Sequence, residues 1–438
     1  MHPASRNMSL AAGMVGEALE MEREMRIVVH KGTSEIGGTC IELSHDEGTI
    51  LLDIGLPLSE DSVPVDITSM SPDAVIVSHP HQDHFGLIES LDDDVPVHIG
   101  ELSRSLMDAS RVFRGKEPLG NYFSYFKAWE PFEAAGFNVT PYLVDHSAPD
   151  AYAFLIEDGA NRVFYSGDFR GHGRKSVVFE RITANPPPDI DVLFMEGTML
   201  HRGNERFPNE SAVEEEIRRT LRQQKDMSFL VSSSQNIDRV VSAYRACLGT
   251  GKTLVVDVYA AWVLEQLKIV SDHVPNMAWP QVGVYIPGSQ YETVKQNQAF
   301  FGDFAQRIFE PEHRLTMENL EACPERYLRM IRLSGARLIE KWLGEETTTV
   351  LYSQWDGYLD ESRWSSFGAE KMASLQHDPR VHFVYAHTSG HAVLADLKAF
   401  TVALNPKMLV PIHTEHRGEY KEHFDNVIEL EDGQEFVL

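Results

Sequence analysis

The chain of 438 residues has only three cysteines, Cys40, Cys247 and Cys323, and none form a Cys-x-x-Cys pair. That excludes a disulfide framework, fits a reducing cytoplasm, and leaves the three thiols as ordinary core residues. No run of eighteen apolar residues occurs, so no membrane span is expected. The first residues, Met1 to Glu24, lack a secretory pattern: Ala11 to Val15 is too short an apolar stretch, and Glu17, Glu20, Glu22 and Glu24 follow at once. Positive charge is scarce. Lys+Arg number 39 against 66 Asp+Glu, a net charge of −27. Such a surface argues against loose binding of nucleic acid, but not against a groove made positive locally by metal cations. There is no Gly-x-Gly-x-x-Gly pattern, so the glycine-rich turn Gly32 to Gly38 reads as a loop beside a site rather than a nucleotide cradle. Repeats and low-complexity tracts are also absent.

What is present is enough apolar residue, 42%, for a sizeable core, in a length that suits two or three domains of ~150 residues each. The densest chemistry lies at His79-Pro80-His81-Gln82-Asp83-His84, directly after the apolar run Ala74 to Val77. β-Branched residues in that run predict a buried strand. An extended loop points His79 and His81 to one side, while adjacent Asp83 and His84 must point differently. Three imidazoles and a carboxylate in two directions suit two metal ions of the zinc type, with manganese served by the same donors.

Further ligand types recur where predicted strands stop. Asp53 ends the strand Thr49 to Leu52, where it either caps a turn or supports the histidine loop. His146 follows Phe137 to Val144, Asp168 follows Arg162 to Tyr165, and Glu196 follows Val192 to Met195. Loops at strand ends over a packed sheet are how a rigid scaffold presents a site. After Pro208 the texture changes to strands alternating with helices, which predicts a parallel α/β unit without obvious metal ligands. Within it, Cys323 to Met330 reads as helix. Strand-end histidines then return: His387 and His391 after Val381 to Ala386, and His413 after Met408 to Ile412. Val427 to Leu430 and Glu435 to Leu438 read as a closing hairpin, and the aromatic stretch Gly120 to Phe132 as core packing. The expected plan is an extension (1–24), a metal-binding domain in two parts (25–207 and 371–438), and an inserted α/β domain (208–370). The basic run Arg170, Arg174, Lys175 reads equally as a phosphate path or a solvated loop.

These motifs resemble the metallo-β-lactamase fold, and within it the beta-CASP nucleases of the ribonuclease J type, from roughly Arg26 to Leu438. His79 to His84 is similar to the superfamily's His-x-His-x-Asp-His signature, and Asp53, His146 and Asp168 to its accompanying motifs. Glu196, His391 and His413 resemble the three beta-CASP motifs. The resemblance implies an αββα sandwich with an inserted α/β domain. It implies that His79, His81 and His146 hold one zinc, that Asp83, His84 and His413 hold another, and that Asp168 bridges them. A metal-activated hydroxide would attack phosphorus in line. His391, oriented by Glu196, would protonate the leaving oxygen. Ser389 and the amides of Gly390 and His391 would hold a phosphate, with the following helix N-terminus assisting and His387 on the substrate side. The implied activity is cleavage of single-stranded RNA, or DNA, by an endonuclease with 5′–3′ exonuclease action as its companion. Ribonuclease J carries a phosphate-binding Gly-Ser-Gln-Gly-Glu-Pro-like loop where this chain has Tyr352 to Tyr358. There Trp355 could stack a base, but Asp356 would repel a terminal phosphate, which counts against the exonuclease. The chain ends where ribonuclease J continues into a further domain, so assembly through that domain is not expected. Two other readings stand beside this one: a metallo-hydrolase of a lactone, thioester or cyclic nucleotide, and a nuclease-like subunit that works with a protein partner or as a homodimer. A metal count separates the last from the others, and turnover on RNA against a lactone separates the first two.

Overall fold

The computed structural model describes residues 24–120, 122–202, 206–344, 347–361 and 367–438. Residues 1–23, most of the expected N-terminal extension, lie outside the described residues.

The chain begins with β1 (Arg26–Lys31), β2 (Cys40–His45) and β3 (Gly48–Leu52), an antiparallel meander. It then adds β4 (Ala74–Ile76), β5 (Val97–Ile99) and β6 (Phe123–Tyr125) in parallel. A second sheet follows: β7 (Phe132–Ala134), β8 (Phe137–Leu143), β9 (Tyr152–Glu157) and β10 (Arg162–Tyr165) are antiparallel, and β11 (Val192–Glu196) runs parallel to β10. Alternation of large apolar residues gives each sheet one buried inner face. Ile27, Val29, Ile41, Leu43 and Ile76 of the first sheet meet Val139, Phe154, Ile156, Val163 and Phe194 of the second in one core. The outer face of the second sheet is covered by helices Ser176–Ala184 and Leu394–Leu404, through Ile182, Leu397 and Phe400. That of the first is covered by the segment Phe85 to Leu91 and by Met107 of helix Glu101–Val112. The product is the expected αββα sandwich.

The third sheet is entirely parallel: β12 (Ser228–Val231), β13 (Thr253–Val256), β14 (Val282–Tyr285), β15 (Arg314–Leu315), β16 (Tyr327–Ile331), β17 (Thr348–Tyr352) and β18 (Val381–Tyr385). Their spatial order is β15-β14-β13-β16-β12-β17-β18. Two expectations are corrected here. Cys323 to Met330 is not a helix, because Tyr327–Ile331 is an inner strand paired on both sides. Val381–Tyr385, expected in the second part of the sandwich, is the edge of this sheet through pairing with β17, so the chain leaves the insert after Tyr385 rather than at 370.

β19 (Met408–Ile412) returns to pair in parallel with β11. The last strand, β20 (Glu435–Val437), pairs with β1. The closing hairpin is absent: residues 426–428 bond to Leu409 beside β19, and only the turn at Glu431 to Gln434 remains. The aromatic stretch is core in part, since Phe126 is buried and stacks on Phe132, whereas Tyr122 and Tyr125 are exposed. Among the described residues, no helix is long and apolar enough to cross a membrane.

Candidate metal centre

Strand register brings the ligand candidates together. β3 and β4 run parallel with Leu52 opposite Ile76, so Asp53 leaves its strand beside Ser78 and His79. β11 and β19 run parallel with Glu196 opposite Ile412, so His413 emerges beside Glu196. Asp53 and His413 both have left-handed backbones, at φ 57° and 50°. Strain of this kind, at two non-glycine residues that follow strands of the two different sheets, is typical of built sites.

His79 Nε2, His81 Nδ1 and His146 Nε2 converge, at 3.1 Å between the first pair and 3.2 Å between the second. Nitrogens about 3.3 Å apart are what a tetrahedral ion with bonds of about 2.0–2.1 Å requires. Asp83, His84 and His413 form a second group, with Asp83 Oδ2 at 3.8 Å from His84 Nε2 and 3.7 Å from His413 Nε2. Asp168 Oδ2 stands between the groups, 3.2 Å from His84, 3.6 Å from His79 and 3.7 Å from His413. The donor set fits divalent cations by a further observation. His84 Nε2, His413 Nε2 and both Asp168 oxygens are buried without a hydrogen-bond partner among the described residues. Polar atoms so placed are rare unless something else satisfies them.

The far side of each ring fixes which nitrogen is available. His146 Nδ1 donates to the Gly390 carbonyl at 2.6 Å, which leaves Nε2 as a ligand atom. His84 Nδ1 donates to Asp53 Oδ2 at 2.7 Å. Asp53, fully buried, also accepts from the Ser78 amide and hydroxyl, both at 2.7 Å, and from the Tyr165 hydroxyl. Its support for the histidine loop, one of the two roles open at the sequence level, is therefore what the hydrogen bonds describe. The glycine-rich turn also stands at the site: the Thr39 hydroxyl lies 3.0 Å from His413 Nδ1, and the His413 amide donates to the Gly32 carbonyl.

Charge follows from this packing. Burial holds His79 and His146 well below the ordinary imidazole value, so both are neutral and able to ligate. Burial opposes charge on His84 too, but Asp168, Asp53 and Asp83 outweigh it and raise His84 well above 6.5. Burial of Asp168 is likewise outweighed, by His413, His84 and His391, which hold its carboxyl well below the usual range. A cation binding here would displace protons from the cluster.

Beside the cluster, His391 Nδ1 lies 3.2 Å from Glu196 and 3.7 Å from Asp168. Burial lowers its proton affinity, yet Glu196 and Asp168 more than restore it, and the net shift is upward. Glu196 is locked in place. It accepts from the amides of Phe169, Thr198 and Ala392, while Tyr420 donates to its carbonyl.

Other expected contacts are placed differently. The His391 amide, expected to be open to phosphate, is bonded to Ser389 Oγ at 3.1 Å, and the Ala392 amide is taken by Glu196. Gly390 presents its carbonyl to His146, and a Cβ there would lie 2.6 Å from Ser147 Oγ, so this close approach needs glycine. Arg170 is neither on a phosphate path nor solvated. It is fully buried between Asp145, Glu210 and Asp238, and it donates to the Ser389 carbonyl at 2.6 Å. Arg174 bonds to Glu214 and Asp238, and Lys175 to the carbonyls of Val144 and Ala148. Arg239, also fully buried, bonds Glu210, Ser353 and the Thr388 carbonyl, and reaches His387 Nδ1 at 3.3 Å. Burial, then Arg239, pushes His387 down to about 3, so it is neutral. This arginine–carboxylate network joins the insert to the loop that carries His391. The sequence offered only the Arg170 run as a hint of it. One face of Trp355 is covered by the Arg202 guanidinium, at 4.1 Å. Tyr358, which sequence reasoning passed over, is near enough to Asp83 that, after burial, this carboxylate raises its phenol.

Residues 34–197 match the family model described as the metallo-beta-lactamase superfamily. The chain is 21% identical to a ribonuclease J of Mycoplasma genitalium, over 91% of its own length and 69% of that protein. It is also 21% identical to a ribonuclease J of Helicobacter pylori, over 92% of its own length and 57% of that protein. A crystal structure of a protein of unknown function from Enterococcus faecalis superimposes with a TM-score of 0.72 at 19% identity, covering 95% of this chain and all of that one, which supports the fold alone. One segment of the chain, residues 34–197, is thus similar to the metallo-beta-lactamase superfamily, and over nine-tenths of its length the chain is similar to ribonuclease J.

Proposed function

We propose that the protein is a metal-dependent hydrolase that cleaves phosphodiester bonds in single-stranded RNA, internally in preference to from a 5′ end. The observation that carries this reading is the convergence of two three-ligand groups on Asp168, with the His391–Glu196 pair alongside. In it, His79, His81 and His146 would hold one divalent cation, zinc or manganese, and Asp83, His84 and His413 a second, with the Asp168 carboxylate available to both groups. Such ions, when bound, lower the pKa of water and neutralise charge on a phosphoryl group. The protein's own residues do the rest. Asp83, on the open side of the cluster, takes the proton of the attacking water. His391 in its protonated form gives its Nδ1–H to Glu196 and its Nε2–H to the leaving oxygen. Glu196 and Asp168, which outweigh burial and raise the pKa of His391, favour that protonated form. Arg170 and Arg239 fix the 388–391 loop by its carbonyls, which positions His391 without touching substrate. Neutral His387, Ser389 and Gly390 face substrate only as uncharged groups. Asp356, beside Trp355, disfavours a terminal phosphate dianion. The similarity to two ribonuclease J proteins supports RNA as the substrate class.

The test is cleavage of an RNA labelled at each end, carrying a 5′-monophosphate or 5′-triphosphate, by metal-loaded protein and by His391→Ala. Internal fragments that ignore the 5′ group and fall by about 10²–10⁴-fold in the variant are expected for loss of a general acid. Mononucleotides from the monophosphate form alone would overturn the internal mode. Equal rates in the variant would remove His391 from the chemistry.

A further inference from the structure

The inserted sheet has a crevice of its own, away from the metal cluster. Strand order places β13 next to β16. β13 continues through helix Val258–Gln266 to β14 on one side, and β16 continues through residues 333–340 to β17 on the other. The connecting segments lie on opposite faces, since Val258 to Leu264 pack in one core and Ala336 with Ile339 in another. Adjacent parallel strands whose connections leave in opposite directions form a topological switch point, where open α/β sheets bind ligands at the carboxyl ends. A cavity of about 300 Å³ lies there, its lining drawn from the segments 255–257, 285–290 and 329–338 and including Asp257, Tyr285, Arg329 and Arg332. That is the low end of the range for small-molecule sites, about 300–1,000 Å³.

Its lining is unlike the rest of this acidic chain. Arg329 lies within β16, on the face shared by Tyr327 and Ile331, and is only 4% exposed. Among the described residues it makes no ion pair; its guanidinium lies over the Tyr285 ring at 4.3 Å. The carboxylate that could serve it is committed elsewhere. Asp257 Oδ1 caps the next helix through the Ala260 amide at 2.8 Å, and Oδ2 accepts from Gln290 at 2.7 Å and from Arg332 at 3.4 Å. Arg332 and Arg337 stand at the mouth, both exposed. Arg329 and Arg332 therefore share the neighbourhood of one carboxylate, Asp257, at the cavity. Burying a charge without an opposite partner is costly, and such a charge is retained where a ligand supplies the partner. Burial lowers Arg329's hold on its proton despite Tyr285 and Asp257, as an unbalanced cation requires.

We infer that this crevice binds a small phosphomonoester of the nucleoside monophosphate class, with Arg329 and Arg332 on the phosphate and Tyr285 beside the organic part. A planar guanidinium at the floor and another at the mouth match the fork geometry in which arginine takes phosphate. The site is independent of the assignment of the metal centre.

The test is calorimetric titration of the metal-loaded full chain with inorganic phosphate and with adenosine monophosphate, repeated on Arg329→Gln and on Arg332→Gln. Metal ions also attract phosphate, but that component belongs to every protein in the set. The expected result is a second component for adenosine monophosphate in the wild type, weakened about tenfold or more in both variants. Arg332 is exposed, so Arg332→Gln keeps the test open if Arg329→Gln fails to fold. Isotherms that superimpose on the wild type in Arg332→Gln would overturn the inference. So would a loss confined to a 5′-phosphorylated oligoribonucleotide with adenosine monophosphate unaffected, since the crevice would then hold an RNA end. Arg329→Met offers a stability readout. If no anion is bound there, removing the unpaired charge raises the melting temperature and leaves the phosphate-induced increase intact, which would also overturn it.

Discussion

Asp53→Asn tests the logic of the metal centre most sharply. Asp53 Oδ1 accepts from the Ser78 amide, while Oδ2 accepts from Ser78 Oγ, His84 Nδ1 and Tyr165. An asparagine has one acceptor oxygen. Either orientation turns its amide nitrogen towards groups that donate, and at least one buried donor is left without a partner, at a cost of about 1–3 kcal/mol. Turned so that its oxygen meets the Ser78 amide, it deprives His84 of its anchor. A charge-assisted bond of the kind lost is worth about 1.5–3 kcal/mol, which corresponds to roughly 10- to 150-fold in affinity for whatever His84 Nε2 holds. Loss of an outer carboxylate partner of a ligating histidine costs about 10–100-fold, in agreement. The first group is perturbed less, because His146 is held by Gly390 rather than by Asp53 and His79 is linked to Asp53 only indirectly, its Nδ1 standing 3.0 Å from Ser78 Oγ. Chelator competition on Asp53→Asn should then show one divalent ion of wild-type affinity and one weakened by that factor. Two ions retained at full affinity, or both lost together, would refute the chain of reasoning from Asp53 through His84.

The pH dependence has a definite sign. His391 is raised above 6.5 and acts when protonated, so the rate should fall as pH climbs through its pKa; Glu196→Gln removes the largest raising influence and should move that limb to lower pH in a pH–rate profile. Gly390→Ala sets a Cβ 3.2 Å from His146 Cε1 and should displace that ring, weakening metal retention on dialysis more than it lowers the melting temperature. Arg170→Met leaves Asp145, Glu210 and Asp238 buried with fewer partners and should destabilise by about 3–5 kcal/mol, read by chemical denaturation.

The candidate ligands that the structure brings together could be picked out in the sequence because each lies at or just after the end of an apolar run, and a strand end fixes its neighbour's position locally. His79 to His84, Asp168 and His413 needed no knowledge of the rest of the chain. The two-part sandwich around an insert was legible too, from histidines returning after the α/β texture. What the sequence concealed depends on partners far along the chain. β16 reads as helix because Arg329 interrupts its apolar pattern, and only pairing with β12 and β13 reveals the strand and the crevice behind that arginine. The closing hairpin is absent because Ile428 bonds to Leu409 of another sheet while β20 pairs with β1, contacts that nothing local in the sequence shows. Arg170 read as solvated or phosphate-facing, since nothing local shows that Asp145, Glu210 and Asp238 close around it. Donor types and their spacing are written in short segments. Which buried charges are balanced is settled only when distant strands come into register.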